Sequence, residues 1–284
     1  GALCAMVSTR AMNPLTFGLR LPTWAFAKAP HEHYRLIAEF ARRAERLGFD
    51  ALWVVEHLLT APGLYGASWL EPMMALAHAA AVTERIKLAT GVLVAPLRHP
   101  LVVAKEVATL AALSGGRSVL GVGLGWDERE FNSLGIPLRE RGGRLDEMLD
   151  VLPRLLLERD VAHHGRYYRF ESVSIDPGLG RVPPIWIAGG GKIATSLSPD
   201  PTSIAERVLR RIARHGRWMS RSAGDQATVK ADWQTIKAYV AREGGRPEDV
   251  TFGHGNWAHL VDARDRSDAL RRQRPLYERA MGTH

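Results

Sequence analysis

The chain has 284 residues, 46% apolar and 24% charged, a balance that excludes overall disorder and fits an ordinary globular protein. No apolar run reaches the ~18 residues of a membrane helix, and the single cysteine, Cys4, excludes an intrachain disulfide. The net charge of +8 is carried mostly by Arg, but no nucleic-acid motif accompanies it, so no nucleic-acid partner is expected.

Residues 1–13 read as a disordered leader without the pattern of a secretory signal, and 14–284 as a single cytoplasmic domain. Leu15 to Leu21 is the first predicted strand. His31 to Leu47 is a helix with Leu36, Ile37, Phe40, Ala41 and Ala44 on one face, closed by Gly48. Ala51 to Val55 is the second strand, Glu71 to Thr83 a helix and Ile86 to Val94 the third strand. Pro100 opens a helix at its favoured first position and carries it to Leu113.

Ser118 to Leu124 is the fourth strand. Arg139 to Glu158 is a long helix that Pro153 should kink by removing a backbone donor. Pro184 to Ala188 is strand five, Gly216 to Ser220 a weak sixth and Val250 to Val261 the seventh, with helices over Thr202 to Arg214 and Asp225 to Glu243. His163-His164 and the residues after them read as a loop and hairpin rather than a metal site. Arg207, Arg210, Arg211, Arg214, Arg217 and Arg221 form one basic stretch; the later arginines alternate with Asp262, Asp265 and Asp268, as on solvated helix faces.

Short apolar strands alternating with helices require a parallel sheet covered on both sides. Seven units without a second domain favour a closed (β/α)8 TIM barrel, and the length lies near the ~250 residues typical of one. The eighth β/α unit is not visible in this chain.

Sites in such barrels lie at the C-terminal ends of the strands. Strand one leads to Trp24, a substrate-binding candidate. Strand two delivers Glu56 and His57, and a histidine titrates in the range useful for proton exchange. Strand four ends in Gly121, Gly123, Gly125 and Trp126, and strand five in Ala188, Gly189, Gly190, Gly191 and Lys192. Glycines there let a backbone approach a ligand, although tight strand-to-helix packing demands them equally. The G-x-G-x-G spacing on a fourth strand is not the dinucleotide-binding G-x-G-x-x-G. No H-E-x-x-H or paired-cysteine motif suggests a metal.

Phe49 to His57 resembles the second strand of the luciferase-like monooxygenases and their F420-dependent relatives. Thr83 to Val92, Arg98 to Leu101, Leu113 to Gly123 and Pro184 to Gly190 resemble the same family, in its order. The resemblance implies a luciferase-like TIM barrel binding F420, or alternatively FMN, at its C-terminal mouth. It implies a non-prolyl cis peptide at Gly91-Val92, with His57 and Glu56 catalytic. Gly91, Val92, Gly123, Gly125, Trp126 and Ala188 to Gly191 would contact the cofactor.

The implied function is hydride transfer between F420 and a small organic substrate. One alternative is an FMN-dependent monooxygenase using O2 and a separate reductase; another is a non-catalytic ligand-binding barrel. Family habit implies a homodimer. Trp126 stands where the family's F420-dependent sugar-phosphate dehydrogenases carry glutamate, which argues against sugar-phosphate oxidation. Lys192 to Pro201 reads as a polar loop or lid.

Overall fold

Strands of two to six residues and helices of six to seventeen alternate along most of the described chain. The computed structural model describes residues 15–26, 31–60, 67–191, 203–220, 226–255 and 261–281. The predicted loop after Gly191 and the end of the seventh predicted strand lie outside the described residues. In chain order the elements begin β1 (Gly18–Arg20), β2 (Trp24–Phe26), α1 (Ile37–Arg46), β3 (Ala51–Val54), β4 (Ala67–Trp69), α2 (Pro72–Ala80), β5 (Lys87–Thr90), β6 (Leu93–Val94) and α3 (Pro100–Leu113). They continue with β7 (Ser118–Gly123), α4 (Glu128–Ser133), α5 (Arg141–Leu157), β8 (Val161–His164), β9 (Arg169–Val173) and β10 (Ile185–Ala188). The last are α6 (Glu206–His215), β11 (Arg217–Met219), α7 (Gln226–Arg242), β12 (Thr251–Gly253) and α8 (Arg266–Met281).

Seven strands form one parallel sheet in the order β1-β3-β5-β7-β10-β11-β12, and β6 also pairs with β7. This is the parallel, helix-covered TIM-barrel class. Among the described residues β1 and β12 are the sheet's edges. They curl toward each other: the Arg20 guanidinium on β1 lies 3.2 Å from where a Cβ on Gly255, just past β12, would stand. Two small antiparallel pairs, β2 with β4 and β8 with β9, decorate the sheet.

The period of two along each strand divides the core. Leu52, Val54, Leu88, Leu120, Val122, Ile185 and Ile187 are buried in the main hydrophobic cluster, which includes residues of α1, α2, α3 and α5. The alternate residues Trp53 and Trp186 meet edge to face, with ring centroids 5.8 Å apart. Glycines on neighbouring strands make the room: a Cβ at Gly91 would stand 2.9 Å from Trp53, and one at Gly253 would stand 2.7 Å from Trp186.

The third predicted strand is interrupted. It runs as β5 and β6 on either side of a cis peptide at Gly91-Val92. Across the gap the Thr90 hydroxyl accepts from the Gly121 amide at 2.9 Å and donates to the Gly121 carbonyl at 2.7 Å. A side chain thus replaces ladder bonds where β5 leaves β7. Helix α5 continues through Pro153, because Leu145, Met148, Leu149, Leu152, Leu155 and Leu156 anchor its apolar face in the core. That packing offsets the single missing donor.

The opposite end of the barrel is tied by two charged side chains. Arg117 donates to the carbonyls of Ala80, Thr83, Ile86 and Ser114 and to the Thr83 hydroxyl. Glu45 accepts the amides of Glu84, Arg85 and Ile86. Several arginines of the basic stretches are paired within the chain. Arg211 and Arg214 pair with Asp146 and Asp150 on α5, while Asp268 holds Arg264, Arg271 and Arg272.

Candidate active site

The C-terminal end of β3 carries Glu56 and His57 side by side in sequence, but their surroundings differ. Glu56 is buried, forms an ion pair with Arg98 at 2.6 Å and accepts the Val94 amide at 2.5 Å. Arg98 also reaches Glu71 at 3.0 Å and Glu106 at 3.5 Å, linking α2 and α3. Burial pushes the Glu56 carboxyl up, against the pull of Arg98 and the Val94 amide. Its contacts tie Glu56 to β6, directly after Gly91-Val92.

His57 faces another set of groups. Its Nδ1 lies 3.5 Å from Glu130 Oε1, and the same oxygen accepts the amides of Leu58 at 2.7 Å and Leu59 at 3.2 Å. One buried carboxylate therefore fixes the turn that carries the imidazole and also faces its ring. The Trp69 ring centroid lies 4.7 Å from that of His57, and the Trp126 centroid lies 5.5 Å away. Burial lowers the His57 pKa, and Glu130 and then Asp127 oppose that effect. The net effect favours the neutral imidazole.

Glu130 sits on α4, a helix started by Asp127, whose carboxylate accepts the Arg129 amide at 3.0 Å. Trp24 on β2 stands opposite Trp69 on β4 in register. Sequence reasoning placed Trp24, Trp126 and His57, and the structure brings His57 against Trp126 and Trp24 beside Trp69. It missed Glu130 and Arg98. The signal for Glu130 was an acidic N-cap and first turn, Asp127-Glu128, just beyond the strand-four glycines. Nothing local marks Arg98.

The expected glycine contacts divide by what fills the space around them. A Cβ on Gly123 would stand 2.6 Å from Val92, and one on Gly125 would stand 2.5 Å from Val94, so packing against the β5–β6 segment already demands glycine there. In the Ala188 to Gly191 turn a Cβ at Gly189 would stand 2.8 Å from Val208. The Gly189 amide donates to Met219, and the Gly191 amide to the Asp232 carboxylate at 3.1 Å. A carboxylate at that amide makes the turn a poor phosphate seat.

A family model described as luciferase-like monooxygenase matches residues 16–284. The chain belongs to that family. It is 32% identical over 190 residues to an F420-dependent glucose-6-phosphate dehydrogenase of Kineococcus radiotolerans, covering 66% of this chain and 54% of the relative. The chain spans about half the length of the curated relatives it matches. Among solved structures it resembles monooxygenase RslO1 from Streptomyces bottropensis, with a TM-score of 0.74 and 26% identity over 94% of this chain and 77% of that one. It shares its fold with the oxygenating constituent of 3,6-diketocamphane monooxygenase from Pseudomonas putida, in complex with FMN. There the TM-score is 0.67 and the identity 19%, over 93% of this chain and 76% of that one.

Within that family the expected cis peptide is present at Gly91-Val92. The arrangement of His57, Trp69 and Trp126 offers flat aromatic walls and one titratable nitrogen pair, which suits the ring end of a flavin or deazaflavin. Among the described residues no helix is long and apolar enough to cross a membrane.

Proposed function

We propose that the chain transfers a hydride between F420, held at the C-terminal mouth of the barrel, and a small organic substrate. The observation that carries this reading is His57: an imidazole at a strand end, backed by Glu130 and walled by Trp69 and Trp126. The kinship with the F420-dependent dehydrogenase supports the choice of cofactor. When bound, F420 supplies a ring carbon that accepts or donates hydride and reacts poorly with O2.

In this reading His57 exchanges a proton with the substrate oxygen as the hydride moves. Its Nδ1 faces Glu130 at 3.5 Å. Burial keeps the imidazole in its neutral form at rest, and Glu130 steadies the imidazolium that forms on proton uptake. Glu56, through Arg98 and the Val94 amide, holds the segment after Gly91-Val92 against which the ring would rest. Trp126 covers the His57 side of the mouth. The ring end of the cofactor fits these residues. The Ala188 to Gly191 turn does not fit its phosphate, because Asp232 already takes the Gly191 amide.

The likeness to RslO1 supports a second reading, an FMN-dependent monooxygenase supplied by a separate reductase. Fluorescence titration with F420 and with FMN separates the two. Tight F420 binding with weak FMN binding supports the first; the reverse supports the second. Failure of both at micromolar concentration sinks the enzyme reading. His57→Gln should retain cofactor binding and lose roughly 10²–10⁴-fold in turnover.

A further inference from the structure

The turn after β10 is held by partners of two kinds. The Gly189 amide donates to the Met219 carbonyl, and the Gly189 carbonyl accepts the Trp218 indole Nε1 at 2.8 Å. Both partners belong to β11, which pairs with β10, and Trp218 is fully buried. Neither can leave without opening the sheet. The Gly191 amide is held differently, by the two carboxylate oxygens of Asp232 at 3.2 and 3.1 Å. Asp232 lies one helical turn before Ile236 on α7, and Ile236 is fully buried, so packing of that helix face turns the carboxylate toward the barrel. Asp232 itself is half-buried. A side chain of this kind can rotate off an amide, whereas a carbonyl of the sheet cannot. A carboxylate on a backbone N–H is also the chemical counterpart of a phosphoryl oxygen, an anionic acceptor on the same donor.

We propose that Asp232 is a specificity-determining residue. It occupies the Gly191 amide in place of a ligand's phosphate, so the chain selects a tricyclic ring without preferring its phosphorylated form. The inference rests on the reading of the barrel mouth as a flavin or deazaflavin site. A phosphoryl oxygen that came to the Gly191 amide would have to displace Asp232 and then stay beside its negative charge. Partial burial strengthens that repulsion. The bond gained is offset by the bond lost, because both are charge-assisted and share one donor. Phosphate therefore adds little to the affinity, which comes from the ring.

Paired titrations of the full chain test this: FMN against riboflavin, and F420 against the deazaflavin that lacks its phosphate-bearing tail, each followed by fluorescence. In the wild-type chain the members of a pair that binds should differ by less than about threefold, the mark of a phosphate without a seat. Asp232→Ala opens the amide and should tighten the phosphorylated member roughly ten- to hundredfold, the size of one hydrogen bond to a charged group. The phosphate-free member should bind as before, which shows that the variant is folded. Asp232→Asn keeps an acceptor without the charge and should give a smaller gain. A wild-type chain that already prefers the phosphorylated member by about tenfold or more overturns the inference. So does an Asp232→Ala protein with the wild-type ratio. Binding of neither pair removes the cofactor reading, and inorganic phosphate then decides this inference separately. Phosphate that raises the melting temperature of Asp232→Ala and leaves the wild type unmoved supports it, and equal shifts in the two proteins overturn it.

Discussion

Replacing Glu130 by glutamine keeps the shape of the side chain and one acceptor oxygen but removes the charge. Two amides, those of Leu58 and Leu59, bond to Oε1 in the wild-type chain, and His57 Nδ1 lies 3.5 Å from it. A hydrogen bond to a charged acceptor contributes ~1.5–3 kcal/mol and one to a neutral acceptor ~0.5–1.5, so two downgraded bonds should cost about 2 kcal/mol. Glu130→Ala leaves both amides without this acceptor and should cost more, about 4 kcal/mol. Urea unfolding reads either change as a lower midpoint with an unaltered slope.

The same substitution removes the carboxylate that opposes the effect of burial on His57, so the imidazole pKa should fall further. Titration of the His57 ring proton by NMR measures this directly, and any activity limb governed by His57 should move to lower pH. A Glu130→Gln protein with the wild-type urea midpoint refutes the role of Glu130 in holding the turn. A His57 resonance titrating at the same or a higher pH refutes its electrostatic role.

Two further outcomes follow from groups remote from the mouth. Arg117→Ala should destabilise the fold by about 4 kcal/mol, because it strips several carbonyls of a charged donor. Cofactor affinity below the unfolding range should be unchanged, and an affinity loss before unfolding would contradict the placement of Arg117 at the closed end. His215 is lowered from 6.5 to about 4, chiefly by burial, with Arg214 adding to it. The unfolded chain therefore takes up a proton that the folded chain refuses, so stability rises with pH across this window and is lost as pH falls from 6.5 toward 4. At ~1.4 kcal/mol per pKa unit the loss amounts to about 3 kcal/mol. His215→Gln should flatten the pH dependence of the urea midpoint in that window, and an unchanged slope would exclude His215 as its source.

How much of the site was legible depended on whether a residue's role is local. His57 was legible as a candidate because a histidine directly after an apolar run of strand length falls at the C-terminal end of a barrel strand. Trp126 was legible as a candidate because it follows the glycines of β7. Glu130 was not, since it acts on His57 from a separate element, and linear spacing carries no record of which helix folds over which strand. Glu56 stands beside His57 in sequence, but its contacts are with Arg98 and Val94, which sequence spacing did not indicate.

The sequence by itself determined the alternation of strands and helices, the parallel sheet and the end of the barrel to inspect. These follow from hydrophobic period, Pro and Gly punctuation and the geometry of parallel connections. Only the tertiary structure decided where the third strand breaks, because the break depends on Thr90 meeting Gly121 across the sheet. It likewise decided that the glycines of β7 are claimed by Val92 and Val94, and that the Gly191 amide is claimed by Asp232. Those are contacts between residues far apart in the chain, and burial and charge act through them by distance in space.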